Sequence, residues 1–132
     1  MDDLWIFDFL TFSWSEVPID PQSSKPCPRR FHSSTLLGNQ FFVIGGCHDK
    51  YRCLNDVYSL DLTPLINGGG PGSLSWTCHK PEGSGFITRW GHTSTTYDGK
   101  IYIFGGRFIS DLNDLLELDL TKKCIKAVKT TP

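Results

Sequence analysis

Short apolar runs rich in β-branched and aromatic residues follow one another along the chain, separated by Gly, Asn, Asp and Pro. Such runs predict short antiparallel β-strands. No segment carries a long apolar pattern with a period of 3.6 residues, so we predict that helices are absent. The predicted strands form two sets of four, His32–Leu37, Phe41–Gly45, Val57–Leu62 and Trp76–His79, then His92–Tyr97, Lys100–Gly105, Leu115–Leu120 and Cys124–Val128.

The two sets are copies of one sequence unit. The glycine pairs are 60 residues apart and the Asn-Asp pairs are 58 apart, so the loops absorb the difference. A truncated third copy opens the chain, where 3–9 aligns with 56–62. Self-similarity of this length indicates one structural unit used repeatedly. The repeated positions are Gly45, Gly46, Gly105, Gly106, Asn55, Asp56, Asn113, Asp114, His32, His92, Trp14 and Trp76.

Each repeated position has a structural explanation. The glycine pairs are expected to end the second strand, where the backbone bends or approaches a neighbour too closely for a Cβ. The Asn-Asp pairs are expected to accept hydrogen bonds from nearby backbone N–H groups and so close the loop before the third strand. The tryptophans lie on the predicted fourth strand, where a large ring covers an adjoining sheet.

These motifs, with an Arg-x-x-His sequence before the first strand, resemble kelch repeats over nearly the whole chain. The resemblance implies an all-β fold, an incomplete kelch-type β-propeller of four-stranded antiparallel blades. The expected organisation is the C-terminal half of a first blade at 1–17, a second blade at 29–79 and a third at 89–129. Segments 18–28 and 80–88 are then inter-blade linkers.

An unclosed set of two and a half blades leaves two apolar blade faces uncovered. We therefore expect the chain to be a fragment that pairs with the remainder of a propeller or associates with itself. Radial closure is what removes open faces and edges in such folds.

Composition excludes several classes of function. The chain has 132 residues, of which 39% are hydrophobic and 20% charged, with a formal net charge of −1. That charge gives no general attraction to nucleic acid or to anionic lipid, and no apolar run approaches membrane-spanning length. The five cysteines are scattered without a Cys-x-x-Cys pair. Reduced cysteines and the absence of a leader favour the cytoplasm or the nucleus, although Cys47 and Cys53 flank one loop and can meet.

Charge is unevenly divided between the two predicted faces of the disc. Loops that join strands two and three share a face with the linkers, and the segments 18–31, 47–55, 80–90 and 107–113 carry eight cations and four anions. This face predicts capture of an acidic or phosphorylated peptide through arginines and aromatic anchors. The alternative is that the charges are solvated and that Arg30 and Arg89 are structural. The candidate partner-binding residues are Arg29, Lys50, Tyr51, Arg52, Trp90, Arg107 and Phe108.

The sequence offers no catalytic motif. His32 and His92 occupy one repeat position in successive blades, which favours structure over metal binding, and no metal or other cofactor is predicted. The Gly-rich segment 68–72 precedes a strand rather than a helix, so it does not indicate a nucleotide site. A copper enzyme like galactose oxidase is the rival hypothesis, because such enzymes resemble kelch propellers and use paired tyrosines and histidines.

The favoured function is therefore a non-catalytic protein–protein interaction module. The resemblance implies roles such as scaffold or ubiquitin-ligase substrate adaptor, because kelch propellers serve in both. The alternatives are the propeller portion of a metal-dependent enzyme and a gene fragment without independent activity. Fold alone does not decide among them.

Overall fold

The structure is a computed structural model that describes residues 3–49, 52–67, 74–83 and 85–129. Within these ranges the chain forms ten strands and one helical turn. They are β1 (Trp5–Asp8), β2 (Ser13–Glu16), β3 (Ser33–Leu37), β4 (Gln40–Cys47), β5 (Cys53–Asp61), α1 (Thr63–Ile66), β6 (Trp76–His79), β7 (Thr93–Tyr97), β8 (Lys100–Arg107), β9 (Asp111–Asp119) and β10 (Cys124–Ala127).

The strands form three antiparallel sheets in sequence order. We call β1–β2 blade 1, β3–β4–β5–β6 blade 2 and β7–β8–β9–β10 blade 3. One cross-strand pair recurs in all three, as Phe7–Trp14, Leu60–Trp76 and Leu118–Ile125. The predicted all-β fold with four-stranded antiparallel blades is confirmed.

The glycine pairs lie inside their strands, which corrects the prediction that they end them. Pairing continues beyond them to Cys47 in β4 and Arg107 in β8, with a register shift at Gly45 and at Gly105. Both of these glycines have positive φ, +54° and +61°. A glycine in this conformation makes a β-bulge, which bends the strand without ending the ladder.

The prediction that helices are absent is wrong at one point. Residues Thr63–Ile66 form α1, with Pro64 in its first turn, where a missing backbone donor costs nothing. The Asp61 carboxylate accepts a hydrogen bond of 2.9 Å from the Thr63 N–H. Four residues are too few to show a helical period, so the apolar pattern could not reveal this turn.

Two apolar layers hold the blades together. The side chains of β4 alternate, so that Phe42 and Ile44 pack toward blade 3 while Val43 packs toward blade 1. The layer between blades 1 and 2 contains Val17, Val43, Leu60, Leu74 and Trp76. The layer between blades 2 and 3 contains Phe42, Ile44, Val57, Ile101, Ile103, Leu116, Leu118 and Ile125. Each complete blade is thus apolar on the face that meets its neighbour.

The segments that lead into the two complete blades run beside the outer strands of those blades. Ile19 pairs in parallel with Leu74 before β6, and Glu82 pairs in parallel with Cys124 of β10. Both linkers therefore start at the sheet end opposite the glycine bulges and then pass to the bulge end. Among the described residues no helix is long and apolar enough to cross a membrane.

Candidate protein-binding surface

A buried arginine supports the bulge of each complete blade. Arg89 donates to both carboxylate oxygens of Asp114, at 2.8 and 2.9 Å, and to the Gly105 carbonyl at 3.0 Å. Arg29 makes the same three contacts with Asp56 and the Gly45 carbonyl. A guanidinium presents its donors as a rigid fork that matches a carboxylate. The hydrogen bonds from Arg89 lower the pKa of Asp114 below its usual value.

Arg29 was predicted to bind a partner, and its position in the structure contradicts this. Its side chain is only 4% exposed and is committed to Asp56. The Arg-x-x-His spacing explains the error, since Arg29 stands three residues before His32 as Arg89 stands before His92. The structural role assigned to Arg30 belongs to Arg29. The Asn-Asp pairs also differ from expectation, because Asp56 and Asp114 lie within strands and accept arginine donors.

The glycine pairs let the chain that leads into a blade cross the bulge. A Cβ on Gly46 would lie 2.7 Å from the Arg30 carbonyl oxygen, and one on Gly106 would lie 2.9 Å from that of Trp90. A Cβ on Gly45 would lie 3.0 Å from the Arg89 oxygen, at the contact between blades 2 and 3. Any side chain at these positions would push the crossing segment away from the sheet.

The crossing segments place Arg30, Phe31, Trp90 and Arg107 together at the bulge end of blades 2 and 3. We call these four residues the ridge. The rings of Phe31 and Trp90 lie 5.4 Å apart, and the Arg30 guanidinium lies 5.8 Å from the Phe31 ring. Two backbone hydrogen bonds, of 3.0 and 2.9 Å, join Trp90 to Arg107. The ridge therefore rests on both blades.

Phe31 has an unfavourable backbone conformation. Its φ is +58°, and the equivalent residue of the next copy is Gly91, with φ +65°. Both residues take part in one interblade hydrogen bond, in which the Gly91 N–H donates to the Phe31 carbonyl at 2.9 Å. A bulky residue rarely adopts positive φ, and such outliers concentrate at functional sites. The Phe31 ring is nevertheless 56% exposed, so burial of the ring does not account for it.

The other predicted binding residues fall into two groups. Arg52 and Phe108 are exposed at the same end of the blades as the ridge, and the Arg52 side chain is 70% exposed. Arg52 and Arg107 each form a long ion pair, with Arg52 4.0 Å from Asp49 and Arg107 3.5 Å from Asp111. Exposed pairs of this kind contribute little and leave the arginines available. Lys50 and Tyr51 lie outside the described residues.

The excess of positive charge in the four predicted segments remains after two corrections. Arg29 and Arg89 are neutralised internally by Asp56 and Asp114. Asp20 and Glu82 follow the starts of the linkers, at the opposite end of the blades. Two cations and two anions thus leave the count together, so the four segments keep an excess of positive charge.

Comparisons with known proteins match this architecture. Residues 1–132 match the KLHDC2/KLHL20/DRC7 Kelch-repeats domain. The chain is 33% identical to human Host cell factor 2 in a 123-residue alignment that covers 81% of this chain and 15% of the relative. It is 37% identical to the Putative adagio-like protein 2 of Oryza sativa subsp. japonica over 88% of this chain and 18% of the relative. It is 32% identical to the Tip elongation aberrant protein 1 of Schizosaccharomyces pombe over 90% of this chain and 10% of the relative.

The chain belongs to the kelch-repeat family. It spans less than a fifth of the length of these curated relatives. Kelch domains are generally non-catalytic and bind protein partners, so the ridge is a protein-binding candidate on family grounds as well as on geometry.

The repeated histidines of these kelch blades differ in their surroundings. His92 is buried against Gly45, and no ring nitrogen makes a hydrogen bond within the described residues, whereas His32 is exposed. Burial and the nearby Arg89 lower the pKa of His92 to about 4, an effect that the Ile44 backbone partly offsets. Within the described ranges no three His, Cys, Asp or Glu residues are grouped as metal ligands.

Phe31 was not among the predicted binding residues, and the structural role predicted for Arg30 belongs to Arg29. The signal for Phe31 was available, because a Phe stands where the other copy has Gly at a position that requires positive φ.

The two tryptophans of the kelch unit also differ: Trp76 is buried between blades 1 and 2, while Trp14 is exposed on blade 1.

Proposed function

We propose that this chain contributes blades to a kelch propeller that binds a protein partner through the ridge. The blades of this proposal are 29–79 and 89–129, together with the half-blade 1–17. The ligand is an acidic segment that carries at least one apolar side chain, with its negative charge supplied by carboxylates or by phosphate. The geometry supports no reacting group at this surface, so the proposed role is binding without catalysis.

The conformation of Phe31 is the observation that carries the proposal. A glycine at this position would offer the same carbonyl to the Gly91 N–H, and it would adopt positive φ without strain, as Gly91 does. Positive φ costs an L-residue about 1–2 kcal/mol. Such conformations persist only where the surrounding structure imposes them, and they concentrate at functional sites. An aromatic ring that lies beside an arginine and in tilted contact with Trp90 is typical of an interface anchor.

The arginines near the anchor determine the expected charge of the ligand. Arg30 lies beside the Phe31 ring, Arg107 is the cross-strand partner of Trp90, and Arg52 is exposed at the same end of the blades. Arginine binds carboxylate and phosphate through paired, charge-assisted hydrogen bonds. Two aromatic rings with arginines nearby therefore favour a ligand that places an apolar side chain within an acidic sequence.

The test is selection of peptides from a random display library on the chain, followed by affinity measurement of the best binders. We expect the selected peptides to be enriched in Asp and Glu around an apolar residue. The affinity of the best peptide is then compared with that of the same peptide carrying phosphoserine in place of its acidic residues, which shows whether carboxylate or phosphate binds more tightly. Phe31→Gly should weaken binding tenfold or more, because loss of an anchor typically costs at least 1.4–2 kcal/mol. It should leave the unfolding midpoint unchanged or raised, since the strain disappears.

Charge reversal supplies the matched controls. Arg30→Glu and Arg107→Glu should each weaken binding, and the loss should shrink at high salt. Lys122→Glu makes the same charge change at an exposed position in the turn between β9 and β10, at the other end of the blades, and should have no effect. Equal binding by the unmodified chain, Phe31→Gly and Arg30→Glu would contradict the proposed function.

A further inference from the structure

Two cysteines stand opposite each other where β4 and β5 approach the ridge. Cys47 and Cys53 are direct cross-strand partners. The N–H and C=O of Cys47 both bond to Arg30 on the other side, at 2.8 and 2.9 Å. Cys47 and Cys53 are therefore a non-hydrogen-bonded pair, the kind in which Cα atoms are about 4.5 Å apart. Disulfides span Cα separations of about 4.4–6.8 Å, so the backbone already suits one.

The side chains of this pair also face each other. The two sulfur atoms are 3.1 Å apart and unbonded. A disulfide requires about 2.05 Å, so small side-chain rotations close the remaining gap. Cys27 and Cys78 contact other groups, with Cys27 near the Arg29 guanidinium and Cys78 near the His79 carbonyl. The geometry thus distinguishes one pair among the five cysteines.

We propose that Cys47 and Cys53 are a modification site, a dithiol that peroxide or a small-molecule disulfide converts reversibly into an intramolecular disulfide. The bond would link the end of β4 to the start of β5. Arg52 directly precedes β5, and β4 at Cys47 is hydrogen-bonded to Arg30 of the ridge. The regulatory consequence, which rests on the proposed function, is that oxidation fixes Arg52 relative to Arg30 and so strengthens partner binding.

The order of steps follows from the surroundings of the two thiols. Burial raises the pKa of Cys47 to about 11, so this thiol stays protonated at neutral pH. Cys53 is more exposed and reacts first. Its sulfur attacks one peroxide oxygen and breaks the O–O bond, which leaves a sulfenic acid and releases water. The Cys47 sulfur then attacks the Cys53 sulfur, and the displaced hydroxide takes the Cys47 proton and leaves as water.

The reaction is balanced in atoms and electrons. Two thiols and one hydrogen peroxide give one disulfide and two waters, and each sulfur loses one electron to the peroxide oxygens. With glutathione disulfide as the oxidant, two exchange steps give the same bond and release two glutathione thiols. A thiol reductant in excess reverses either reaction.

Peptide mapping tests the bond directly. The folded chain is oxidised with hydrogen peroxide or glutathione disulfide, its free thiols are alkylated, and it is digested with trypsin without reduction. Cleavage after Arg30, Lys50, Arg52 and Arg89 separates peptide 31–50, which holds Cys47, from peptide 53–89, which holds Cys53 and Cys78. We expect these peptides to be linked, and to separate on reduction.

Variants identify which cysteine is linked. Cys53→Ser should abolish the linked product, whereas the matched variant Cys78→Ser, on the same tryptic peptide, should retain it. Oxidation of the urea-unfolded chain should scatter linkages among all five cysteines. Persistence of the link in Cys53→Ser would overturn the proposal. So would five free thiols under conditions that oxidise dithiothreitol, or the same scatter of linkages from folded and unfolded chains.

Binding then tests the regulatory consequence. The selected acidic peptide should bind the oxidised chain about threefold more tightly than the reduced chain, the gain expected from ordering one side chain in advance. Equal binding in the two states would overturn the regulatory part of the proposal. Failure of the peptide to bind either state would contradict the proposed function alone, because the mapped disulfide does not depend on a partner.

Discussion

Single residues at equivalent repeat positions have different physical environments. His92 lies beneath the bulge of blade 2 and is buried, while His32 has no complete blade on its other side and is exposed. The sequence predicted that both are structural, but it could not predict this difference, because burial depends on the neighbouring blade. The backbone strain at Phe31, in contrast, was predictable from the sequence, because alignment of the two copies places Phe31 at the position of Gly91.

His92 makes stability depend on pH. Its folded pKa of about 4 lies below the ordinary value of 6.5, so between these values the unfolded chain takes up a proton that the folded chain does not. The free energy of unfolding should therefore fall as the pH is lowered from 6.5 to 4, by about 3 kcal/mol in total from this group.

Urea unfolding at several pH values checks this expectation. His92→Gln should flatten the dependence between pH 4 and 6.5. The charged and titratable neighbours of His92 are Arg89 and His32. An unchanged pH profile in His92→Gln would contradict the assignment.

Within each blade, the elements follow from the sequence except at the bulges. Turn dipeptides and the β-branched runs were sufficient to place all eight strands of blades 2 and 3 to within a few residues. The continuation of β4 and β8 beyond their glycines was not predictable, because it depends on Arg29 and Arg89 reaching carbonyl groups 16 residues away. An ion pair between distant segments leaves no local pattern.

The arginine–aspartate contact of blade 3 should be a large contributor to stability. Asp114→Asn leaves the fully buried Arg89 charge without its counterion, and removing one partner of a buried pair costs about 3–5 kcal/mol. We expect the lower end, about 3 kcal/mol, because the Asp114 side chain is partly exposed. Urea unfolding measures the loss.

The matched control for this contact is Asp111→Asn. Asp111 lies on β9 like Asp114, but it pairs with Arg107 of β8 at the exposed surface, where ion pairs contribute little. The two variants make one chemical change three residues apart on β9. Equal stability of both variants would contradict a structural role for the Arg89–Asp114 pair.

At the scale of the molecule, the two outward faces differ in chemistry. Blade 3 presents Lys100, Tyr102 and Lys126, all gathered around Glu117. Blade 1 presents Trp5, Phe7 and Trp14, at the repeat positions that blade 2 fills with Tyr58, Leu60 and Trp76. Trp76 is 8% exposed in its apolar layer, whereas Trp14 is 65% exposed. The sequence predicted two uncovered apolar faces, and this prediction is wrong for blade 3, where charged side chains surround Glu117.

The blade 1 face should make the isolated chain self-associate. Exposed aromatic side chains that lie together are buried when two molecules meet, and each contributes about 1.5–3 kcal/mol when fully covered. Sedimentation velocity should show an average mass that rises with protein concentration. Trp14→Glu should lower that mass toward the monomer, because a carboxylate resists removal from water.

Tyr97→Glu provides the comparison for Trp14→Glu. Tyr97 is a highly exposed aromatic residue on blade 3, outside the blade 1 face, and its replacement should leave association unchanged. A monomer at all concentrations would contradict the prediction, since it would mean that the aromatic face is stable in water without a cover. Equal effects of the two substitutions would instead show that association follows net charge rather than this face.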